Sequence, residues 1–265
     1  MDGYFEYKGR RIHFTEQGRG VPVVLVHGYL ETSEILAGFA KILSGNHRVL
    51  SIDLPGHGLS DPYDEIYSME FMAGSVASLL DHLHIEKAFV AGHSLGGYIT
   101  LAFAERYPRK LTGYCLLHSH PLPDDAEKAE KRNAEISLVA DGKKNTFIPG
   151  NISRLYAGKN LERFHAEVQR STEVALQIPG DTIIKVLRGM IARPSGVNVI
   201  EKGNIPLLWI LGTMDNLIDH RSVLDKVRLP GNAVVHILNN SGHMGFIEEE
   251  SEVAEIVSGF ISDIQ

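Results

Sequence analysis

Six segments of the chain are apolar at nearly every position rather than at every second one: VPVVLVHG (21–28), HRVLSIDLPG (47–56), KAFVAGHS (87–94), LTGYCLLHS (111–119), IPLLWILG (205–212) and NAVVHILNN (232–240). Strands covered by helices on both faces read this way, because neither face meets water. Ahead of them, YFEY and RRIHFTEQG flank Lys8-Gly9 and predict an antiparallel hairpin, which brings the count to about eight strands. Between strands the apolar period changes to that of a helix. Met69, Met72, Val76, Leu79, Leu80 and Leu83 recur at three- and four-residue steps behind Ser68, a residue placed to cap the start. Val253, Ile256, Val257, Phe260, Ile261 and Ile264 repeat the pattern at the end of the chain. This alternation predicts an α/β fold with a mostly parallel eight-stranded sheet flanked by helices.

One region breaks the alternation. From about residue 120 to 202 there is no convincing parallel strand, only helical patterns such as DDAEKAEKRNAEISLVADG and NLERFHAEVQRSTEVALQI. Residues 121–150 alone carry 11 charged side chains. The expected organisation is a core from residues 1–119 and 203–265, with a helical insertion at 120–202 between two strands.

Composition narrows the possible partners. The formal charge is −7 over 265 residues, so the basic footprint of a nucleic-acid binder is missing. No run of 18 apolar residues predicts a membrane-spanning helix, and the polar opening MDGYFEYKGRR does not read as a signal peptide. The expectation is a cytoplasmic protein without a membrane partner. One cysteine, Cys115, sits in an apolar run and reads as core, so neither a disulfide framework nor a zinc spacing exists. His118 and His120 lie two apart at a strand end without a third ligand of suitable spacing, and no metal site is expected.

The chemistry concentrates in VAGHSLGG (90–97), where a strand gives way to a helix and Ser94 stands between Gly92 and Gly96. G-x-S-x-G in that setting is a nucleophile elbow, a strained turn that aims the hydroxyl off the sheet edge while glycines admit close packing. A serine hydroxyl needs a base, and the base an orienting acid. Asp215 follows the strand PLLWILG and His243 follows VVHILNN, in the order serine, acid, histidine expected of this architecture. Asp219 is the rival acid, but its position reads as the start of the next helix. Backbone N–H groups of Leu95 and Tyr29 are the expected oxyanion donors. His27 and His57 read as loop-ordering residues. His118 and His120 are placed to line a pocket, and Arg154, Arg188 and Arg193 are candidates for binding a substrate carboxylate.

The segments VHGYL, DLPGHGLSD, GHSLGG, LGTMD and SGHMGF, in this order, resemble the α/β-hydrolase superfamily over essentially the whole chain. RGMIARPSG is reminiscent of its enol-lactone hydrolases and related esterases. The resemblance implies an α/β-hydrolase fold, a triad of Ser94, Asp215 and His243, a helical cap at 120–202 and no cofactor. It implies cleavage of a small carboxylic ester or lactone through an acyl-enzyme. Serine rather than aspartate at the elbow argues against dehalogenation and epoxide opening. Two alternatives remain open at this level: a carbon–carbon bond hydrolase of diketones, and a ligand receptor that scarcely turns over.

Overall fold

The computed structural model describes residues 1–265. The strands are β1 (Asp2–Tyr7), β2 (Arg10–Gln17), β3 (Val21–Val26), β4 (His47–Ile52), β5 (Ala88–His93), β6 (Leu111–Leu117), β7 (Leu207–Gly212) and β8 (Ala233–Leu238). They form one sheet in the order β1-β2-β4-β3-β5-β6-β7-β8. β1 and β2 pair antiparallel, β2 joins β4 antiparallel, and every later pairing is parallel. The hairpin turns at Lys8 and Gly9, both at positive φ.

The helices are α1 (Ala37–Leu43), α2 (Met69–His82), α3 (Leu95–Arg106), α4 (Ala126–Ala140), α5 (Lys144–Ser153), α6 (His165–Gln177), α7 (Gly180–Ala192), α8 (Val197–Glu201), α9 (His220–Leu224), α10 (Gly245–Glu248) and α11 (Glu250–Asp263). Ser68 caps α2, its hydroxyl accepting from the Phe71 N–H. α2 packs with α3, and α1 with α11. Alternation along β5 separates these pairs: Phe89 meets Phe260 of α11, whereas Gly92 faces α3. All residues of β5 and β7 are buried, as two covered faces require.

β8 departs from the expectation of an interior strand. It pairs only with β7, and Val234 is 40% exposed. An apolar run reports that a strand is wanted in the sheet. Whether another strand follows it depends on chain topology, which the run does not encode.

Between β6 and β7 the chain forms α4 to α8 and no strand. α4 packs on α7 and α5 on α6. The connection leaving β3 runs to β4 on one side, whereas the connection leaving its other neighbour, β5, runs to β6 on the opposite side. This opens a crevice at the carboxyl ends of the parallel strands, where α/β proteins place ligands.

Candidate active site

From Ala88 to Ala104 every residue is buried except Ser94. Its backbone has φ 50° and ψ −111°, a conformation costly for a side chain with a Cβ, so the surroundings must enforce it. They do so by close packing. A Cβ on Gly92 would strike the Gly96 carbonyl oxygen, and one on Gly96 would strike the Val26 carbonyl oxygen. The Ser94 N–H donates to Leu117 O at 3.0 Å, and its carbonyl accepts from the Ser119 hydroxyl at 2.7 Å. Leu95 opens α3, so its N–H is among the first-turn amides that lack an intrahelical acceptor.

The loops after β7 and β8 bring Asp215 and His243 together. His243 Nδ1 lies 2.7 Å from Asp215 Oδ2, and both side chains are buried. An ionised carboxylate only accepts, so Nδ1 carries a proton, and in the neutral ring that leaves the lone pair on Nε2. That Nε2 has no partner within the chain, and His243 lines the same cavity as Ser94. The other Asp215 oxygen accepts from the Leu217 and Ile218 N–H groups at 2.8 and 3.0 Å, which fixes the carboxylate plane. Burial is the largest influence and works to raise the Asp215 pKa, but His243 and His118 together outweigh it and hold it well below the usual carboxylate range. Asp219 is exposed and caps α9 instead, accepting from the Arg221 N–H.

The loop after β3 carries Tyr29, whose N–H has no acceptor within the chain. The turn is strained at Leu30, where φ is 62°. It is held by a charged pair that no motif announces. Glu31 Oε2 accepts from the Gly28 N–H at 2.6 Å and faces His93 Nδ1 at 3.0 Å, while His93 Nε2 meets the His243 carbonyl at 2.9 Å. With Glu31 ionised both partners of His93 accept, an arrangement that favours the doubly protonated imidazolium. Burial is the largest single influence and opposes that charge, but Glu31, the His243 carbonyl and Asp215 together raise the His93 pKa. Glu31 shows the matching depression: burial would raise it and His93 pulls it down. One buried ion pair thus links the Tyr29 loop, the elbow and the histidine loop. Its members lie 62 residues apart, beyond any local pattern. Glu248, equally silent in the sequence, accepts from Gly242 N–H (2.8 Å), Ala157 N–H (2.9 Å) and Asn160 Nδ2 (2.7 Å).

His27 and His57 order loops: His27 Nε2 accepts from the Leu54 N–H, and its Nδ1 donates to Gly28 O, while His57 Nδ1 meets Pro55 O. His120 lines the cavity. Its Nδ1 accepts from the Leu122 N–H, so Nε2 donates to the Tyr98 oxygen at 3.2 Å, leaving the Tyr98 hydroxyl hydrogen free for another acceptor. His118 does not line the cavity. It is wholly buried behind Asp215, 3.7 Å from Oδ2 and too far for a hydrogen bond, and burial lowers its pKa to about 4. The reason is backbone geometry: φ of 46° at His118 ends the alternation that would have put both imidazoles on one face. Of the three arginines, Arg188 is exposed, Arg193 is buried against Asp124 and the Tyr98 ring, and Arg154 lines the cavity.

That cavity has a volume of about 320 Å³. It is lined by Tyr29, Ser94 and His243 together with residues of α4, α5 and the following turn, among them Arg132, Glu135 and Leu155. No group of three or more His, Cys, Asp or Glu side chains is arranged to hold a metal ion.

Residues 21–137 match the profile of the family described as alpha/beta hydrolase fold. The chain is 28% identical to a dihydrolipoyllysine-residue acetyltransferase component of an acetoin cleaving system from Pseudomonas putida, over 97% of this chain and 68% of that one. It is 26% identical to a pimeloyl-[acyl-carrier protein] methyl ester esterase of Aeromonas hydrophila subsp. hydrophila, over 92% and 96% of the two chains. Its fold superposes on a thermophilic esterase from Thermogutta terrifontis with a TM-score of 0.91, at 23% identity and over 100% and 99% of the two chains. A strained serine at the crevice, the matched segment and the order of strands agree: the chain has the α/β-hydrolase fold.

Proposed function

We propose that the protein is a serine hydrolase that cleaves a small carboxylic ester or lactone through an acyl-enzyme. The observation that carries this reading is the Asp215–His243 hydrogen bond with Nε2 left unpartnered at the cavity that Ser94 enters. Ser94 Oγ attacks the carbonyl carbon while its proton passes to His243 Nε2. Asp215 stabilises the imidazolium through Nδ1, and the Leu95 and Tyr29 N–H groups hold the developing oxyanion. His243 then gives the proton to the departing alcohol oxygen. In the second half it deprotonates a water that releases the acid and regenerates Ser94. Helices α4 to α8 act as the cap that closes the acyl pocket. The name of the Aeromonas relative, an esterase aligned along nearly the whole chain, supports ester cleavage as the reaction.

Ser94→Ala tests the assignment. It should keep the fold and lower ester turnover by roughly 10³-fold or more. A fluorophosphonate should add once to the wild type and not to the variant, read by intact mass. Labelling that persists in Ser94→Ala would place the nucleophile elsewhere.

A further inference from the structure

Charge in the cavity wall is unevenly matched. α4 turns Lys128, Lys131, Arg132 and Glu135 toward the cavity, at the helical spacing that puts residues on one face. Most of these charges are already answered. Arg132 makes two hydrogen bonds to Asp124, at 2.6 and 3.3 Å, and the same carboxylate takes Arg193 at 2.9 Å. Lys131 pairs with Glu127 at 2.6 Å in solvent. Glu135 accepts from Asn151 and from the Tyr29 hydroxyl, and Glu31 is bound to His93.

Lys128 is the exception. It is partly buried, and its ammonium has no carboxylate at ion-pair distance. Asp124 is taken by two guanidinium groups, and Asp125 is engaged in capping α4 through the Lys128 N–H at 2.8 Å. The ammonium also stands in the first turn of α4, where the helix dipole opposes a cation. Burial is the leading influence that lowers its pKa, and Arg193 and Arg132 add to it against Asp125 and Asp124. Arg154 also lines the cavity, but it is exposed, so solvent answers its charge. Lys128 is thus a partly buried cation without an ion pair, and it lines the cavity that Ser94 enters. A desolvated charge without a counterion is costly, and an incoming anion removes that cost.

Resting on the hydrolase reading above, we propose that the substrate carries an anionic group, a carboxylate or a phosphate, remote from its scissile carbonyl, and that the Lys128 ammonium binds this group at the start of α4. Arg154 adds to the same field from the cavity lining. The free hydroxyl hydrogen of Tyr98 is the neutral donor nearest in chemistry to the task, since His120 occupies only the Tyr98 lone pair.

Three methyl esters separate the possibilities in a pH-stat: monomethyl adipate, methyl 5-phosphonopentanoate and the neutral methyl hexanoate. The wild type should favour at least one anionic ester over methyl hexanoate in kcat/KM, and whichever is favoured names the anion. Lys128→Glu should lower that anionic-to-neutral ratio by roughly tenfold or more, and Lys128→Met by less, as expected for a charge-assisted contact worth about a factor of ten. A wild type that favours the neutral ester, or a Lys128→Glu variant with an unchanged ratio, overturns the proposal. Calorimetry with adipate and 5-phosphonopentanoate reads the subsite without chemistry: at least one should bind Ser94→Ala and be lost in Lys128→Glu. Binding of either acid without ester turnover in the wild type would sink the hydrolase reading and keep the anion subsite. Turnover of methyl hexanoate without Lys128-dependent binding of either acid would do the reverse.

Discussion

Asp215 and Asp219 are the same residue type four positions apart in one loop, yet their surroundings assign them different work. The Asp215 side chain is buried, holds His243 through one oxygen and is fixed by two backbone N–H groups through the other. Asp219 is exposed and satisfies only the start of α9. Asp215→Asn replaces an acceptor by an amide that favours the wrong imidazole tautomer and leaves the imidazolium uncompensated, so kcat should fall by roughly 10²- to 10⁴-fold at nearly unchanged Tm. Asp219→Asn keeps a capping oxygen and should retain most activity. Ester kinetics on the pair decide the matter, and the reverse pattern would refute the assignment of the acid. Both positions could be read before the structure, because one closely follows a strand end and the other begins a helix. Nothing local marked Glu31 or His93, whose pairing exists only once β3 and β5 lie side by side. Glu31→Gln removes the counter-charge of a buried imidazolium. It should lower kcat by about tenfold or more and Tm by several degrees, because a broken buried pair costs about 3 kcal/mol or more. An unchanged Tm in Glu31→Gln would mean that His93 is neutral.

At the level of elements, the candidate site is a set of loops at the carboxyl ends of parallel strands, and it needs ties between them. The inserted helices are fastened where the chain passes Leu155 to Asn160. The His243 N–H donates to Leu155 O at 2.6 Å, Asn216 reaches the Arg154 and Tyr156 carbonyls, and Glu248 collects three N–H donors from both sides. Truncation of Glu248 leaves those donors buried without an acceptor. Glu248→Ala should therefore destabilise by about 3 kcal/mol and lower Tm by on the order of 10 °C. Thermal unfolding followed by circular dichroism measures this; a Tm within a degree of wild type would show that the insertion is held by apolar packing instead.

For the molecule as a whole, buried imidazoles set the response to acid. Burial is the leading cause of a lowered pKa at His27, His57 (about 3), His118 (about 4) and His120 (about 3). Below about pH 6.5 the unfolded chain binds protons at these residues that the folded chain refuses. Stability therefore falls as pH drops from about 6.5 toward 4, each group adding up to about 1.4 kcal/mol per pH unit. His13 and His93 act in the opposite sense. The hydrogen bond to Asp53 raises His13, and Glu31, the His243 carbonyl and Asp215 together overcome burial at His93, so their contribution is complete below about 6.5 and is lost as pH rises through their folded values. The two sets place the maximum near neutrality, with the steeper decline on the acid side. Tm measured across a buffer series should fall sharply between pH 6.5 and 5, and a level profile there would contradict the buried neutral state of these rings.

The order of residues by itself determined what depends on near neighbours. Apolar runs specified the strands, 3.6-residue stripes the helices, and Ser68 the start of α2. The position of Ser94, Asp215 and His243 after strand ends was enough to nominate them. These are legible because backbone geometry and burial on one element repeat within a few residues. Tertiary structure alone decided which strand became the edge, so that β8 is half wet although its sequence reads as interior. It alone turned His118 behind Asp215 while leaving His120 on the cavity, joined Glu31 to His93, and left Lys128 without a counter-charge. Electrostatic pairing and desolvation act between side chains that are distant in sequence, and their sign is set by who is adjacent in space, which no local spacing carries.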